Sequence, residues 1–90
     1  MPADPYDIVI ESRLEKLLLK LRKKDHVVYR KTIKKMLRIC ENPRLGKPLR
    51  HTLRGIWRVH IGSFVLMYEI DDKNRKVIFL KFAHHDDAYK

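Results

Sequence analysis

The order of apolar and polar residues along the chain predicts first a short strand and then a helix. Residues 6–10 read Tyr-Asp-Ile-Val-Ile and are rich in β-forming residues, which indicates a strand. Four leucines then recur at the spacing of one helix face, and these are Leu14, Leu17, Leu18 and Leu21. Ser12 and Glu15 have the spacing of a capping box, in which each side chain bonds a free backbone N–H group of the first turn. We therefore expect Ser12 to cap this helix.

A second helix is predicted directly after the first. Asp25 can cap its first turn, and Pro43 and Gly46 close it. Its apolar positions form one stripe, which consists of Tyr29, Ile33, Met36, Leu37 and Cys40. Because almost no residues separate the two helices, they should lie side by side and antiparallel.

After Pro48 the apolar residues follow a period of two, which is typical of half-buried strands. Strands are predicted at residues 57–61, 64–70 and 76–83, with a tight connection at Gly62-Ser63 and a polar turn at residues 71–74. We expect an α+β fold of order β-α-α-β-β-β and a single domain over residues 1–90. In this fold the last three strands form an antiparallel sheet, and the helical hairpin packs on one face of it.

Charge is the compositional feature that changes this picture. The chain has 21 Lys and Arg against 11 Asp and Glu, which gives a formal net charge of +10. So large an excess repels itself and is typical of proteins with a polyanionic partner, such as nucleic acid, an anionic membrane or an acidic protein. Nothing in the sequence resembles a lipid anchor, so nucleic acid is favoured.

The remaining composition is typical of a cytoplasmic protein. Cys40 is the only cysteine, which excludes an internal disulfide, and we expect it to be buried. No apolar run approaches the roughly 20 residues that span a bilayer. Residues 1–5, Met-Pro-Ala-Asp-Pro, lack the basic and apolar pattern of a signal peptide.

A dense group of cations lies on the second predicted helix. Residues 20–38 contain nine Lys or Arg and one acidic residue, Asp25. The cations that lie away from the apolar stripe, which we call the basic ridge, are Arg30, Lys31, Lys34, Lys35 and Arg38. Like charges that recur at i and i+4 destabilise a helix, which favours an anionic partner over a merely solvated face. We interpret the ridge, together with Arg50 and Arg54 in the following connection, as a contact for RNA phosphates.

Arg58 and His60 form a candidate catalytic pair. The period of two places both side chains on one side of their strand, with Trp57, Val59 and Ile61 on the other. A neighbouring cation favours the neutral imidazole, which can act as a base. Cleavage of RNA needs a base for the 2′-OH proton, cations for the phosphate and an acid for the leaving oxygen. The alternative is a chance pair of surface residues.

The C-terminal residues 84–89, His-His-Asp-Asp-Ala-Tyr, offer further chemistry. His84, His85, Asp86 and Asp87 are of metal-ligand type, but adjacent residues of an extended chain point to opposite sides, so at most half of them could share one ion, and we expect no metal site and no cofactor. Tyr89 can stack on a base, as aromatic residues do in many RNA-binding proteins. The alternative is a tyrosine that packs on the rim of the core.

The chain resembles the RelE/ParE toxin superfamily over essentially its whole length. The similarity is carried by Asn42-Pro43, Gly46-Lys47-Pro48-Leu49, Leu53-Arg54-Gly55-Ile56-Trp57-Arg58-Val59, Ile61-Gly62-Ser63-Phe64, Tyr68-Glu69-Ile70-Asp71 and the six residues from His84 to Tyr89. The resemblance implies a compact sheet with two helices that cleaves messenger RNA in the ribosomal decoding site without a metal. It also implies a co-expressed, acidic RelB-like antitoxin that wraps the toxin and silences it.

The resemblance also implies roles for single residues. Arg58 and His60 occupy the positions of two cations on the second strand of relatives. Tyr89 matches a C-terminal tyrosine that stacks on and orients the RNA. His84 and His85 stand where relatives commonly have an arginine that acts on the leaving group.

Val65 is the main departure from the family pattern. Relatives have Gly-Asp-Tyr-Arg where this chain has Gly62-Ser63-Phe64-Val65, so the arginine that holds the scissile phosphate is missing. We expect Val65 to lie near His60 and to face an open cleft, where an arginine would increase the cleavage rate. The alternatives to a ribosome-dependent endoribonuclease are an inhibitor of DNA gyrase, as in the ParE branch, and a member that retains only antitoxin binding.

Overall fold

A computed structural model describes residues 4–89 of the chain. Its elements are β1 (Asp7–Ile10), α1 (Ser12–Lys24), α2 (His26–Glu41), β2 (Lys47–Pro48), β3 (Ile56–Ile61), β4 (Phe64–Asp71) and β5 (Lys76–His84), with short 3-10 turns at Pro43–Leu45 and His51–Leu53. Residues 1–3 and 90 lie outside the description, and with them most of the segment that we compared with a signal peptide. None of the helices within residues 4–89 combines the length and the apolar character that a membrane crossing requires.

The strands form one five-stranded sheet in the order β1-β5-β4-β3-β2. The predicted antiparallel meander of β3, β4 and β5 is confirmed. Two features differ from the sequence-based prediction. β1 pairs parallel with β5, with Ile10 opposite Phe79, and the two-residue β2 adds an edge strand beside β3. A strand of two residues is too short to give a period, and Pro48 is tolerated because it lies at a sheet edge.

Both helices pack on one face of the sheet, as predicted, and the main core lies between the helices and the sheet. Its buried residues are Leu14, Leu18, Met36, Ile39, Cys40, Val59, Ile61, Leu66, Tyr68, Val77, Phe79 and Phe82. The predicted stripes were wrong at Leu17 and Leu37, whose side chains are 41% and 54% exposed. Thr32 is buried instead, because its hydroxyl donates to the carbonyl oxygen of Val28 at 2.8 Å and so satisfies its polar atom.

The predicted N-cap of α2 is confirmed, whereas the predicted N-cap of α1 is not. Asp25 caps α2, since its Oδ1 accepts from the backbone N–H of Val28 at 3.1 Å. For α1 the predicted capping box was wrong, because Glu11 rather than Ser12 is the N-cap. The Glu11 carboxylate accepts from the N–H groups of Arg13 at 3.0 Å and Leu14 at 3.4 Å.

Tyr68 fixes the connection between α2 and β3 against the sheet. Its buried hydroxyl donates to the carbonyl oxygen of Pro43 at 2.7 Å and accepts from the N–H of Gly46 at 3.0 Å. Burial raises the pKa of Tyr68, so the phenol stays protonated and keeps donating. A side chain at Gly46 would collide with the backbone oxygen of Arg58. The connection therefore lies directly beside the strand that carries Arg58 and His60.

Candidate active site

The candidate site begins on the sheet face that the helices leave open. Arg58 and His60 project from β3 toward this face, while Val59 and Ile61 are buried on the helix side, as the period of two predicted. Trp57 packs against the same core but is only half-buried. Regular strand geometry thus places a cation and an imidazole two residues apart on one surface.

Arg58 and His60 are joined by a short hydrogen bond. Nη1 of Arg58 lies 2.6 Å from Nε2 of His60. A guanidinium has only donors, so Nε2 must accept, and the ring hydrogen sits on Nδ1. The imidazole is therefore neutral in this arrangement, and its basic nitrogen points at the group that would bind a phosphate. An anion that draws Arg58 toward itself would free Nε2 to take a proton.

The basic ridge borders this pair. A surface depression of about 290 Å³ lies between α2 and β3 and is lined by Lys31, Lys34, Lys35, Arg38, His60, Ile61 and Gly62. An adjoining depression of about 400 Å³ is lined by Lys35, Leu45, Gly46, Lys47, Arg58, Val59 and His60. The fold thus brings four of the five ridge residues, all but Arg30, next to the Arg58–His60 pair. Three predicted RNA contacts lie elsewhere: Arg30 lines a groove on α2, while Arg50 and Arg54 are exposed in the connection before β3.

The residues that follow β5 fold back over the open face. The N–H of His85 donates to the carbonyl oxygen of Ser63 at 2.9 Å, and the N–H of Ala88 donates to that of His84 at 3.0 Å. The buried Ala88 packs on Val65 and Met67 in a second, small core. Tyr89, half-exposed, borders a depression of about 300 Å³ on the same face.

Val65 is covered by this C-terminal turn. It lies opposite His60 in the β3–β4 register, as expected, but its side chain is 0% exposed. The expectation that Val65 faces an open cleft was wrong, because Ala88 occupies the space above it. The residue is a core valine on the open side of the sheet.

Lys81 is a site candidate that the sequence did not reveal. A bulge between the Met67 and Tyr68 pairings makes Leu80 an extra residue in β5, so Lys81 pairs with Met67 and Phe79 with Tyr68. Counting by two from the buried Phe79 places Lys81 in the core, whereas the bulge turns it to the open face. Met67 in turn lies opposite Arg58, and Lys81 lines the depression beside Tyr89. The available signal was a cation in the interior of an otherwise apolar stretch of the strand.

The two C-terminal histidines differ in their surroundings. His84 lies opposite Phe64 and meets its ring edge-on, with centroids 5.9 Å apart, on the side of the sheet that the helices cover. His85 follows the strand, and its Nδ1 lies 3.2 Å from the carbonyl oxygen of Ser63. Since His60, Val65 and Ala83 are successive register partners, His60 is two strands from the start of this turn, about 10 Å at the backbone.

The chain turn also brings together residues that an extended chain would separate. Ligand atoms of His84, His85 and Asp86 lie within 4.8 Å of one another. The expectation that neighbours in this segment point to opposite sides was wrong, because the chain leaves the strand at His84 and turns.

Comparison with known proteins identifies the family. Residues 8–89 match the family model described as the ParE toxin of the type II toxin–antitoxin system parDE. The chain belongs to this toxin family. Over 86 residues it is 46% identical to the candidate toxin RelE4 of Methanocaldococcus jannaschii, a match that covers 94% of this chain and 92% of the relative.

Solved structures of RelE/ParE toxins share the fold. The toxin–antitoxin complex RelBE2 of Mycobacterium tuberculosis matches with a TM-score of 0.76 and 28% identity, over 92% of this chain and 94% of that chain. A mutant RelE of E. coli in the free state matches with a TM-score of 0.78 and 20% identity, over 96% and 90%. The second likeness is one of fold alone.

In this member of the RelE/ParE toxin family, the candidate residues fall into two groups. Arg58 and His60 lie on β3 beside the basic ridge. His84, His85 and Tyr89 lie in and around the C-terminal turn, at the far side of β4. A substrate that used both groups would have to pass over Ala88, which covers Val65 and Met67 on this face.

Proposed function

We propose that this toxin is an endoribonuclease that cleaves messenger RNA on the ribosome by metal-independent acid–base chemistry. The observation that carries the proposal is the 2.6 Å contact between the Arg58 guanidinium and Nε2 of His60, beside the basic ridge. It combines a phosphate-binding group, a neutral imidazole and a cationic approach surface in one place.

The proposed reaction uses both groups of residues. The scissile phosphate binds Arg58 and draws it away from His60, whose Nε2 then takes the proton of the 2′-OH. The 2′-oxygen attacks phosphorus, and the bond to the 5′-oxygen breaks as that oxygen receives a proton from the C-terminal turn. The products are a 2′,3′-cyclic phosphate and a 5′-hydroxyl. Tyr89 stacks on a neighbouring base.

His85 is the better placed acid of the two histidines. Its Nδ1 lies 3.2 Å from the Ser63 carbonyl oxygen and its Nε2 lies 3.0 Å from Oδ1 of Asp86, so a protonated ring has an acceptor at each nitrogen. His84 packs on Phe64 at the helix side of the sheet. The separation of about 10 Å between the two groups, from the spacing of neighbouring strands, requires that the substrate be held across the face. The ribosome would supply that ordering, which places the proposed activity in the cytoplasm.

The proposed partner is a cognate acidic antitoxin. Solved relatives include the RelE–RelB complex of Pyrococcus horikoshii and the RelBE complex of E. coli. On α2 a groove of about 500 Å³ combines apolar and cationic side chains, namely Val27, Tyr29, Arg30, Lys31, Ile33, Lys34 and Leu37. An amphipathic, acidic segment that is partly disordered when free would match this groove in both polarity and charge.

Cleavage of a defined message on purified ribosomes tests the proposal. His60→Ala should lower the rate by about 10²–10⁴-fold, which is the usual contribution of a general base. Arg58→Ala should also lower it, whereas His26→Ala, which removes an exposed histidine at the start of α2, should not. Equal rates for the wild type and His60→Ala, or equal rates on naked and ribosome-bound message, would contradict the proposal.

A second candidate function is inhibition of DNA gyrase. Two observations favour it: the matching family model is that of ParE, and a buried valine occupies the position at which the RelE resemblance implies an arginine. Pulse-labelling after induction separates the two. A ribonuclease stops amino-acid incorporation first, a gyrase inhibitor stops thymidine incorporation first, and a member that retains only antitoxin binding stops neither.

A further inference from the structure

The turn that follows β5 gathers three metal-ligand side chains. Nδ1 of His84 lies 3.4 Å from Oδ2 of Asp86, and Nε2 of His85 lies 3.0 Å from Oδ1 of the same carboxylate. Ligand atoms around a tetrahedral zinc ion with bonds of about 2.05 Å are about 3.3 Å apart. The two spacings to the Asp86 carboxylate are therefore close to those of a zinc site, and all three ligand atoms lie within 4.8 Å of one another.

Hydrogen bonds direct the lone pairs of both imidazoles toward Asp86. The carbonyl oxygen of Ser63 can only accept, so the Nδ1 atom of His85, 3.2 Å away, carries the ring hydrogen and leaves a lone pair on Nε2. Nδ1 of His84 lies 3.3 Å from the backbone N–H of Asp86 and accepts from it. When the His85 ring is neutral, Nε2 lacks the proton that a charged ring would donate to Asp86, and two nitrogen lone pairs and a carboxylate then face one another. A cation stabilises that arrangement.

The surroundings hold the ligands in place before a metal arrives. A backbone carbonyl bonded to the second ring nitrogen, as Ser63 is to His85, is the usual way in which proteins orient a metal-binding histidine. The backbone N–H of His85 donates to the same carbonyl at 2.9 Å, so the residue is anchored twice. The edge-on contact with Phe64 restrains the ring of His84.

We propose that His84, His85 and Asp86 form a binding site for Zn²⁺. Two imidazoles and one carboxylate favour a first-row cation such as zinc over Mg²⁺ or Ca²⁺, which prefer oxygen ligands alone. All three side chains are partly exposed, so water takes the fourth position. Binding uses the lone pair of His84 Nδ1 and replaces its long hydrogen bond to the Asp86 N–H.

Zinc at this site would regulate cleavage, a consequence that rests on the proposed function. The metal binds Nε2 of His85, the atom that donates the proton in the proposed reaction. Metal and catalytic proton therefore compete for one nitrogen, and zinc inhibits.

Metal binding is measured on the untagged protein at pH 7.5, by titration with Co²⁺ followed by visible absorption and with Zn²⁺ followed by calorimetry. The wild type should bind one equivalent and give the intense absorption of four-coordinate cobalt. His85→Gln and Asp86→Asn should bind at least about tenfold more weakly, since even outer-sphere partners contribute 10–100-fold. The matched control, His26→Gln, removes an exposed histidine outside the cluster and should bind like the wild type.

Equal binding by all four proteins, or absorption typical of six-coordinate cobalt, would overturn the site. Circular dichroism of each variant confirms that the fold is intact, so a loss of binding is assigned to the ligand. A separate assay adds one equivalent of Zn²⁺ to ribosome-dependent cleavage and then a chelator. Loss and recovery of activity are expected. Zinc that binds without inhibiting would refute the acid role of His85 and leave the site standing.

Discussion

At the scale of single residues, Val65 is the position at which this chain departs from the family pattern. Its side chain is 0% exposed and packs with Met67 and Ala88 under the C-terminal turn. An arginine here could not reach a phosphate without displacing that turn. The structure therefore replaces the sequence-based expectation of a faster Val65→Arg enzyme with one of a less stable protein.

We predict that Val65→Arg lowers the free energy of unfolding by about 3–5 kcal/mol, the typical cost of an uncompensated buried charge. The matched control is Val27→Arg, because Val27 is 63% exposed on α2 and its replacement should change stability by less than about 0.5 kcal/mol. Urea unfolding followed by circular dichroism measures both. A stable Val65→Arg protein that cleaves faster than the wild type would mean that the turn lifts readily and that the family role of this position is retained.

At the scale of elements, buried polar contacts at chain connections position the site. Tyr68 joins Pro43 and Gly46 to the sheet. Tyr68→Phe keeps the ring but leaves the Gly46 N–H and the Pro43 carbonyl without their partner, which should cost about 1–3 kcal/mol of unfolding free energy. Tyr29→Phe, at a half-buried tyrosine of α2, is the control and should cost less. An equal loss of unfolding free energy in the two variants would show that the Tyr68 hydroxyl contributes no more to stability than the Tyr29 hydroxyl does.

Asp72 connects three segments at the other end of the sheet. Its carboxylate accepts from the Tyr6 hydroxyl at 2.7 Å and from Nη2 of Arg44 at 2.7 Å. The hydrogen bonds from Arg44, and then from Tyr6, lower the pKa of Asp72 to about 2. Because the folded state favours the ionised form, this contribution is present above the unfolded pKa of about 3.9 and is lost as the pH falls toward 2.

We therefore predict that Asp72→Asn makes stability less dependent on pH between about 4 and 2, the interval set by these two pKa values. Urea unfolding midpoints across this range measure the slope. Asp7→Asn, which removes an exposed carboxylate from β1, serves as the control. A slope in Asp72→Asn as steep as in the wild type would assign acid unfolding to other groups.

The elements themselves were largely predictable from the sequence, because period and cap residues are local signals. The sequence predicted both helices and the meander. It also predicted that the side chains of Arg58 and Val59 lie on opposite faces of the sheet. The prediction failed at positions whose structure depends on contacts with residues that are distant in the sequence. Glu11 replaces Ser12 as the cap because the Glu11 N–H bonds Phe79 across the sheet, and the bulge that exposes Lys81 exists only in the pairing with β4. The gathering of His84, His85 and Asp86 likewise depends on a turn that docks on Ser63.

At the scale of the whole molecule, the net charge of +10 includes four cationic side chains of α2 that line the depression beside His60. The basic ridge borders Arg58 and His60, so RNA that follows the ridge arrives at the proposed catalytic pair. Changing Lys31, Lys34 and Lys35 together to Glu should weaken ribosome binding and reduce the slope of log affinity against log salt by about 2, as expected when roughly three phosphate contacts are lost.

The control for this variant carries the same change of charge on the other helix. Lys16, Lys20 and Lys23 are exposed on α1, and their replacement by Glu should alter the overall affinity but leave a steeper salt dependence than the ridge variant has. Binding to ribosomes is measured over a range of salt concentrations for all three proteins. Equal slopes for the two variants would indicate that the ridge is a solvated helix face that makes no specific contact with RNA phosphates.

The parallel pairing of β1 with β5 has a consequence for how the protein is made. Ile10 lies opposite Phe79, so the first strand cannot join the sheet until nearly the whole chain has been synthesised. Until then β1 and the helices can form only local structure, since pairing across so many residues carries a large loop-closure entropy. Arg58 and His60 are translated before β5 and the C-terminal turn that follows it. On the proposed function, the site that spans the sheet is complete only after β5 has emerged, so a nascent chain would still lack the acid of the proposed reaction.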